Sequence, residues 1–286
     1  MKPAAFEYHR PVDLQSALAL LSQHEEASVL AGGQSLVPMM NYRLAQPDHL
    51  VDINRIAELD FIREEGDEIV IGALARHATI QSSPLIAERL PLIAHSYEWI
   101  AHAAVRNRGT LCGNLCHADP ASEMPALMQV LEAEMVLASA HGRRQVPAVN
   151  FFTGTYETAR AAGEMLVEVR IRKPATGSGW GFEEVSMRKG DFAWVAIGCM
   201  LRVDSGVLTD LRISAAGVGD CAQRLSAMEQ ALQGQVPCAD LFESAAQDAA
   251  AALDPLETAS VSAAYRRDLV CALTPRALNA AVARVT

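Results

Sequence analysis

The chain has 286 residues, of which 50% are hydrophobic and 20% charged, and a formal net charge of −10. This length allows two or three compact units, and the negative charge argues against nucleic acid, whose phosphates would be repelled. No segment approaches the ~20 apolar residues of a membrane helix, and the N-terminus lacks the apolar run of a signal peptide. We therefore expect a cytoplasmic protein without a membrane span.

Six cysteines are spread along the chain, and only Cys112 and Cys116 are close together. Without a CxxC pair or paired spacings, a disulfide framework is not expected in a reducing compartment. An iron–sulfur cluster needs about four thiolates at short spacings. If electrons pass through such clusters, those clusters lie on another chain.

The N-terminal part of the sequence alternates between helical and strand patterns. Apolar residues recur at helical spacing over residues 12–23, with Asp13 as a plausible cap. Short strands are predicted at 29–31, 50–53 and 69–72. This rhythm of strand, loop and helix is typical of an α/β unit.

The middle of the chain combines apolar segments with polar, glycine-bearing ones. We predict helices at Leu92–His102 and Met124–Leu131 and a strand at Glu134–Ala138. A polar loop is expected at 106–110. Alternating side chains over Glu164–Arg172 indicate a half-buried strand.

A stretch rich in Gly, Ser and Pro at 174–181 predicts a domain boundary near residue 176. Residues 1–176 would then form a two-lobed α/β region, with lobes of about 1–56 and 57–176. Beyond the boundary, strand patterns at 182–186, 193–203 and 211–216 precede three Ala- and Leu-rich helices. Strands followed by helices predict an α+β domain over 177–286, and the whole chain is expected to be of the α+β class.

Two segments carry residues suited to binding an anion. Paired glycines in Ala31-Gly32-Gly33-Gln34-Ser35 allow positive φ and close approach of a ligand to backbone N–H groups. Thr110-Leu111-Cys112-Gly113-Asn114 again offers hydroxyl, amide and N–H donors. Alone, the first segment is equally well explained as a tight turn, and the second is better explained as a polar turn. Neither is the GxGxxG or GxxxxGK[ST] motif, but together they can hold one elongated anion, such as a dinucleotide, from two sides.

Three motifs occur in a characteristic order: AGGQSL, RNRGTLCGNLCHADPASEMP and MRKGDFAWVA. In this the sequence resembles the FAD-binding medium subunits of the xanthine dehydrogenase and carbon monoxide dehydrogenase family, the molybdenum hydroxylases. The resemblance covers nearly the whole chain and implies a PCMH-like FAD-binding region followed by a C-terminal α+β domain. It is nearest to subunits of N-heterocycle hydroxylases of the quinoline and nicotine dehydrogenase type.

The resemblance also implies which residues contact FAD. The diphosphate would lie on two segments, comprising Ala31, Gly32, Gly33, Gln34 and Ser35, and Thr110, Leu111, Cys112, Gly113 and Asn114. Glu123 occupies the place of an aspartate that helps to hold the flavin nucleotide. Met165 and Leu166 fall in the strand that lines the flavin, and Phe192 stands where relatives place an aromatic ring against the isoalloxazine.

The implied function is electron transfer within a complex. A large partner subunit with a molybdenum cofactor would oxidise a small substrate, such as an N-heterocycle. A small iron–sulfur subunit would pass the electrons to FAD on this chain, in a dimer of heterotrimers. No residue of this chain is assigned an acid–base role. The alternatives are a stand-alone FAD-dependent oxidase or dehydrogenase, for which no catalytic array is identified, and a scaffold that has lost its cofactor.

Two residues depart from the family pattern. Cys112 stands where relatives often have a glycine, and a non-glycine residue at positive φ would cost ~1–2 kcal/mol. The backbone there is therefore either ordinary, with Gly113 supplying the freedom, or rearranged. Glu184 stands where several relatives carry a lysine near the flavin, and the lost positive charge should shift the flavin potential and not its binding.

No metal site is predicted. His77, His95, His102 and His117 lack HExxH or any paired spacing with carboxylates, although His117 lies near enough to the second segment to contact the cofactor. Cys112 is better explained as a small packed residue than as a redox-active thiol. Arg106 and Arg108 either balance the diphosphate charge, steer a partner or are simply solvated.

Overall fold

The computed structural model describes residues 1–285, which form three larger β-sheets, a two-stranded ribbon and twelve α-helices. The strands are β1 (Glu7–His9), β2 (Ala27–Leu30), β3 (His49–Asp52), β4 (Ile62–Glu65), β5 (Glu68–Gly72), β6 (Glu134–Ser139), β7 (Gly142–Pro147), β8 (Phe152–Gly154), β9 (Glu157–Thr158), β10 (Met165–Arg172), β11 (Gly179–Ser186), β12 (Ala193–Asp204), β13 (Val207–Ala216) and β14 (Gln223–Arg224). The helices are α1 (Leu14–Gln23), α2 (Leu36–Asn41), α3 (His77–Gln81), α4 (Pro84–Arg89), α5 (Pro91–Ser96), α6 (Ala103–Arg106), α7 (Leu111–His117), α8 (Glu123–Val130), α9 (Ala148–Phe151), α10 (Ser226–Leu232), α11 (Ala239–Ala252) and α12 (Ala263–Ala283).

The first sheet is parallel, with strand order β1-β3-β2. Helix α1 connects its first two strands in sequence, and the Asp13 carboxylate caps it by accepting the N–H of Ser16 at 2.8 Å. One face of α1 is buried, as the apolar spacing predicts, and comprises Leu14, Ala17, Leu18 and Leu21. Parallel strands place all their carboxyl ends at one edge of the sheet, where the loops that follow β2 and β3 meet.

The second sheet is antiparallel, with order β4-β5-β10-β6-β7. Its central strand β10 pairs with β5 on one side and β6 on the other. The prediction of a half-buried strand here is wrong, because both faces of β10 are covered: Leu166 is 3% exposed and Glu168 7%. The Glu168 carboxylate is retained in this position by an ion pair of 2.9 Å with Arg170.

The predicted helix Leu92–His102 ends early. Helix α5 stops at Ser96, and α6 starts only at Ala103. Ala101 adopts φ 52°, a left-handed conformation that a continuous helix cannot contain. The Arg106 guanidinium donates to the carbonyl oxygens of Ile100 and Ala101 at 2.9 and 2.5 Å, and so satisfies acceptors that a longer helix would have paired itself.

The third sheet is antiparallel, with order β11-β12-β13-β14, and both of its faces are buried. Along β12, Ala196 and Met200 pack into the core shared with the preceding sheets, whereas Val195 and Ile197 pack into a second core with α11 and α12. Helix α12 lies so close to β11 that a Cβ at Gly181 would meet the Ala277 carbonyl oxygen at 2.0 Å. The predicted strands and three C-terminal helices are confirmed.

The architecture is of the α+β class: a parallel sheet, two antiparallel sheets and peripheral helices. Within residues 1–285, no helix has the length and apolar character needed to cross a membrane.

Candidate functional site

A cavity of about 610 Å³ opens between the loop after β2, the start of α7, the start of β10 and the loop before β12. Such a volume lies within the range of small-molecule and cofactor sites. The residues predicted to contact FAD all line this cavity except Leu111, whose side chain is fully buried in the core. Segments distant in sequence therefore converge on one place.

The loop between β2 and α2 presents backbone donors to this cavity. Within residues 1–285, the N–H groups of Gly32, Gly33, Gln34 and Ser35 have no protein acceptor. Gly33 adopts φ +71°, where glycine is favoured, and the Ser35 side chain makes no capping bond to α2. Consecutive free amides with a free hydroxyl beside them form a cradle suited to phosphate oxygens.

Gly32 has a different role from Gly33, because its backbone is not left-handed. A Cβ at Gly32 would lie 2.4 Å from the Arg108 carbonyl oxygen and 2.6 Å from the Gly109 Cα atom. The absence of a side chain therefore permits direct contact between the first glycine loop and the backbone just before α7.

A polar network behind the two segments fixes their positions. The Asn54 amide donates to the Ala31 carbonyl oxygen at 2.9 Å, and the Arg76 guanidinium donates both to Asn54 and to the Arg108 carbonyl oxygen. Asn54 and Arg76 were missed in the sequence. The position of Asn54 could have indicated its role, because Asn54 follows β3 at the edge of the parallel sheet where the glycine loop lies.

The second segment is a helix start and not the turn that the sequence suggested. Thr110 is the N-cap of α7, and its hydroxyl accepts the N–H of Gly113 at 3.1 Å. An antiparallel bridge between Arg76 and Thr110 anchors the segment. The Asn114 amide exchanges hydrogen bonds with the buried Ser122 hydroxyl at 2.9 and 3.1 Å, so this side chain stiffens the wall.

Cys112 has ordinary helical backbone in α7 and is not at positive φ. Gly113 is helical too, so it does not supply conformational freedom; a Cβ there would meet the Thr110 hydroxyl at 2.8 Å, and glycine thus allows the cap to form. Burial raises the pKa of the Cys112 thiol well above its usual value. Cys112 is therefore a packed thiol and not a reactive thiolate.

Two carboxyl groups lie in or beside the cavity wall. Glu123, at the start of α8, is 4% exposed, and burial, with the nearby Glu184 charge, raises its pKa to about 8. Burial likewise raises the pKa of Glu184 to about 7, and its oxygens are buried without a close partner among the described residues. At neutral pH Glu123 is mainly protonated, so it can donate a hydrogen bond to the cavity without repelling an anion.

The loop before β12 forms the remaining wall. Phe192 lines the cavity while 54% exposed. Gly190 adopts φ +91° and packs against His102, with Asp191 3.9 Å from the His102 imidazole. Phe192 thus offers an aromatic face at the mouth of the cavity.

His117, which the sequence placed near the second segment, lines the cavity, and several further lining residues were not predicted: Ala73, His77, His102, Cys116, Arg160 and Glu164. The His77 imidazole is hydrogen-bonded to the buried Tyr97 hydroxyl at 3.0 Å, and burial lowers its pKa to about 4, so it is neutral. His117 stacks on Tyr156 at 4.9 Å. Arg106 and Arg108 do not line the cavity.

The sequence matches two known family descriptions in succession. Residues 4–174 match the FAD binding domain in molybdopterin dehydrogenase, and residues 180–281 match the CO dehydrogenase flavoprotein C-terminal domain. The chain belongs to this family of FAD-binding medium subunits. Its cofactor is FAD, and it is a subunit of a molybdenum-dependent oxidoreductase, as the three sequence motifs implied.

Individual members of the family are similar over their full length. The carbon monoxide dehydrogenase medium chain of Hydrogenophaga pseudoflava is 41% identical over 285 residues, which cover 99% of both chains. The solved carbon monoxide dehydrogenase of that organism superposes with a TM-score of 0.97 at 43% identity, covering 100% of both chains. Quinoline 2-oxidoreductase from Pseudomonas putida gives a TM-score of 0.94 at 37% identity, again covering 100% of both chains.

The residues present fit a flavin dinucleotide. The free amides of residues 32–35 match an anionic diphosphate, and Gly32 and Gly33 leave the space that side chains would fill. Phe192, Met165 and Leu166 supply an apolar and aromatic lining for a planar ring.

Proposed function

We propose that the free amides of Gly32, Gly33, Gln34 and Ser35, together with the start of α7, hold the diphosphate of FAD. Glu123 would contact the nucleotide as a hydrogen-bond donor, and Phe192, Met165 and Leu166 would contact the isoalloxazine. The observation that carries this proposal is the row of four unpaired N–H groups on a cavity of cofactor size.

FAD, when bound, supplies the ability to accept electrons one at a time and to pass them on singly or in pairs. The residues of this chain bind and orient it and exclude water from part of its surface. His77 is neutral and already bonded to Tyr97, and no group of the cavity is assigned the role of a base. This favours electron transfer over substrate oxidation on this chain.

We further propose that the chain works in a cytoplasmic complex with a small iron–sulfur subunit and a large molybdenum subunit, assembled as a dimer of heterotrimers. Substrate contacts would lie in the molybdenum subunit, and both carbon monoxide and N-heterocycles such as quinoline are substrate classes of similar proteins. Within this chain, a division near residue 176, between β10 and β11, would separate the FAD-binding region from the C-terminal domain.

Mass spectrometry of the native complex, purified through a tag on this chain from its own cells, tests the partnership. The expected result is an iron–sulfur chain of smaller mass and a much larger molybdenum chain, together with one FAD per copy of this chain. Recovery of a flavin-loaded chain with no partners and full substrate turnover would instead favour a stand-alone oxidase.

A further inference from the structure

Three histidines that do not line the cavity come together beside the parallel sheet. His9 is the last residue of β1, His24 follows the last turn of α1, and His49 is the first residue of β3. One ring nitrogen from each histidine can be chosen so that all three nitrogens lie within 4.8 Å of one another. The group draws on three separate elements, so only the fold brings it together.

Strand pairing explains the convergence. In the parallel pairing of β1 with β3, Glu7 lies opposite His49. Side chains two residues apart on a strand point to the same face, so Glu7 and His9 flank the His49 imidazole. His24 lies three residues before Ala27, which pairs with His49 from the other side.

The distances suit one small cation. His9 Nε2 and His49 Nδ1 are 3.0 Å apart, close to the ~3.3 Å that separates two nitrogens bound at about 2.0–2.1 Å to a tetrahedral zinc ion. The His24 ring stacks on the His49 ring with centroids 3.7 Å apart, so rotation about the His24 side-chain torsions would turn its nitrogen toward the ion. A Glu7 carboxylate oxygen lies 3.6 Å from His49 Nδ1 and 3.9 Å from His9 Nε2.

We propose that His9, His24 and His49 form a zinc-binding site, with the Glu7 carboxylate or water as the fourth ligand. Imidazole and carboxylate are ligands that Zn²⁺ accepts readily, and three histidines with one oxygen are a common set for it. The His9 and His49 side chains are 23% and 19% exposed. A zinc ion can therefore reach the site from solvent, while most of each side chain is held by its neighbours. Its role is structural, since it joins β1, β3 and the end of α1.

A simpler explanation is that the cluster is a hydrogen-bonded stack of neutral imidazoles. One ring N–H donating to the other ring would account for the contact between His9 and His49. Ring stacking would bring His24 to the same place, but neither contact requires the Glu7 carboxylate beside the same nitrogens. The two explanations differ in whether the cluster binds a metal, which can be measured.

Calorimetric titration of the full-length chain with Zn²⁺ tests the proposal. The chain carries no polyhistidine tag and has the Cys238→Ser substitution, because Cys238 is an exposed thiol that could bind zinc independently. The expected result is one Zn²⁺ per chain. Removing a group that only orients a metal ligand already lowers affinity about 10–100-fold, so His9→Gln, His24→Gln and His49→Gln should each lower it at least about 100-fold.

His141→Gln is the matched control, because His141 is exposed in the turn between β6 and β7 and lies outside the cluster. It should bind zinc like the parent chain. Substitution by Co²⁺ should give the visible absorption bands of tetrahedral coordination, and these should disappear in His24→Gln. Circular dichroism establishes that each variant is folded. The proposal is overturned if the parent chain binds no zinc, or if the three cluster variants bind it as the parent does.

Discussion

At Gly32 the contact between two segments of the proposed FAD cavity leaves room for a hydrogen atom and nothing larger. A methyl group there would overlap the backbone of Arg108 and Gly109. Backbone atoms cannot rotate away as the end of a flexible side chain can. Any side chain at Gly32 must therefore move the first glycine loop relative to the start of α7.

Gly32→Ala should consequently lower both stability and FAD affinity. Overpacking of this kind costs about 1–3 kcal/mol, and we expect at least an approximately tenfold weaker FAD affinity, which corresponds to about 1.4 kcal/mol. Fluorescence titration of the flavin-free chain measures the affinity. The control is Gly66→Ala, at a φ of +60° with open space around it, which should destabilise the chain yet bind FAD normally. Equal FAD affinity in the Gly32→Ala chain would contradict the account.

Glu123 makes the stability of the protein depend on pH. Its pKa is raised from 4.5 to about 8 in the folded chain, so the unfolded chain releases this proton at lower pH than the folded one. The free energy of unfolding should therefore decrease as the pH rises from about 4.5 to about 8. Glu184, with its pKa raised to about 7, contributes in the same direction over a narrower range.

Glu123→Gln should remove the part of this dependence that Glu123 contributes and leave the part that Glu184 contributes. Between pH 5.5 and 8 the parent chain should lose of the order of 1 kcal/mol or more relative to the variant, as measured by denaturant unfolding with excess FAD. Glu243→Gln, at an exposed position of α11, should behave like the parent. If the free energy of unfolding depended on pH identically in the parent chain and in Glu123→Gln, the pKa of Glu123 would not be raised.

At the scale of elements, α7 forms the second half of the cavity wall, and its first turn depends on the Thr110 cap. The buried Thr110 hydroxyl accepts the Gly113 N–H. Without it, the first turn of α7 loses a partner for its N–H group, and the segment that faces the glycine loop is free to fray.

Thr110→Ala should therefore destabilise the chain by about 0.5–2 kcal/mol and accelerate FAD release. Thr110→Ser keeps the hydroxyl and should retain most of the parent stability and release rate. Thermal unfolding and stopped-flow flavin fluorescence measure the two quantities. If Thr110→Ser were as impaired as Thr110→Ala, the methyl group and not the cap would be responsible.

The elements also show what the sequence could and could not predict. Strands such as β2 and β5 and the cap of α1 follow from local patterns, and these predictions are confirmed. The start of α7 was predicted as a turn because Thr-Leu-Cys-Gly-Asn is a polar, glycine-containing sequence. The structure shows a helix there, capped by the Thr110 hydroxyl. β10 is the central strand because it pairs with β5 and β6, which are about 100 and 30 residues away in sequence, and its faces are buried by elements that pack on the sheet, such as α7.

The residues of the cavity also fall into those that the sequence could predict and those that it could not. Glycine loops and motif order pointed to the residues that converge on it, whereas Asn54 and Arg76 contribute through long-range hydrogen bonds that have no local sequence signal. The cluster of His9, His24 and His49 was likewise invisible, because its members are 15 and 25 residues apart and are brought together by strand register.

At the scale of the whole molecule, the third sheet contributes to both hydrophobic cores. Ala193, the residue after Phe192, is buried in the core that the third sheet shares with the preceding sheets, and this places Phe192 at the cavity. Membership of the family gives the chain an electron-transfer role within a molybdenum-dependent complex.

The purified chain, loaded with FAD, should accordingly transfer electrons only to or from artificial redox partners. The complete complex should turn over its substrate with the same acceptors. Steady-state assays of both preparations at equal flavin concentration measure the difference. Substrate turnover by the isolated chain at the rate of the complex would contradict a role limited to electron transfer.

The central claim is that backbone amides from two separate segments hold the FAD diphosphate, and a structure of the FAD-loaded complex tests it most directly. The account predicts phosphate oxygens within hydrogen-bonding distance of amide nitrogens in residues 32–35 and of the start of α7, with the isoalloxazine beside Phe192. Amides of residues 32–35 that face only water, with the flavin bound elsewhere on the chain, would contradict it.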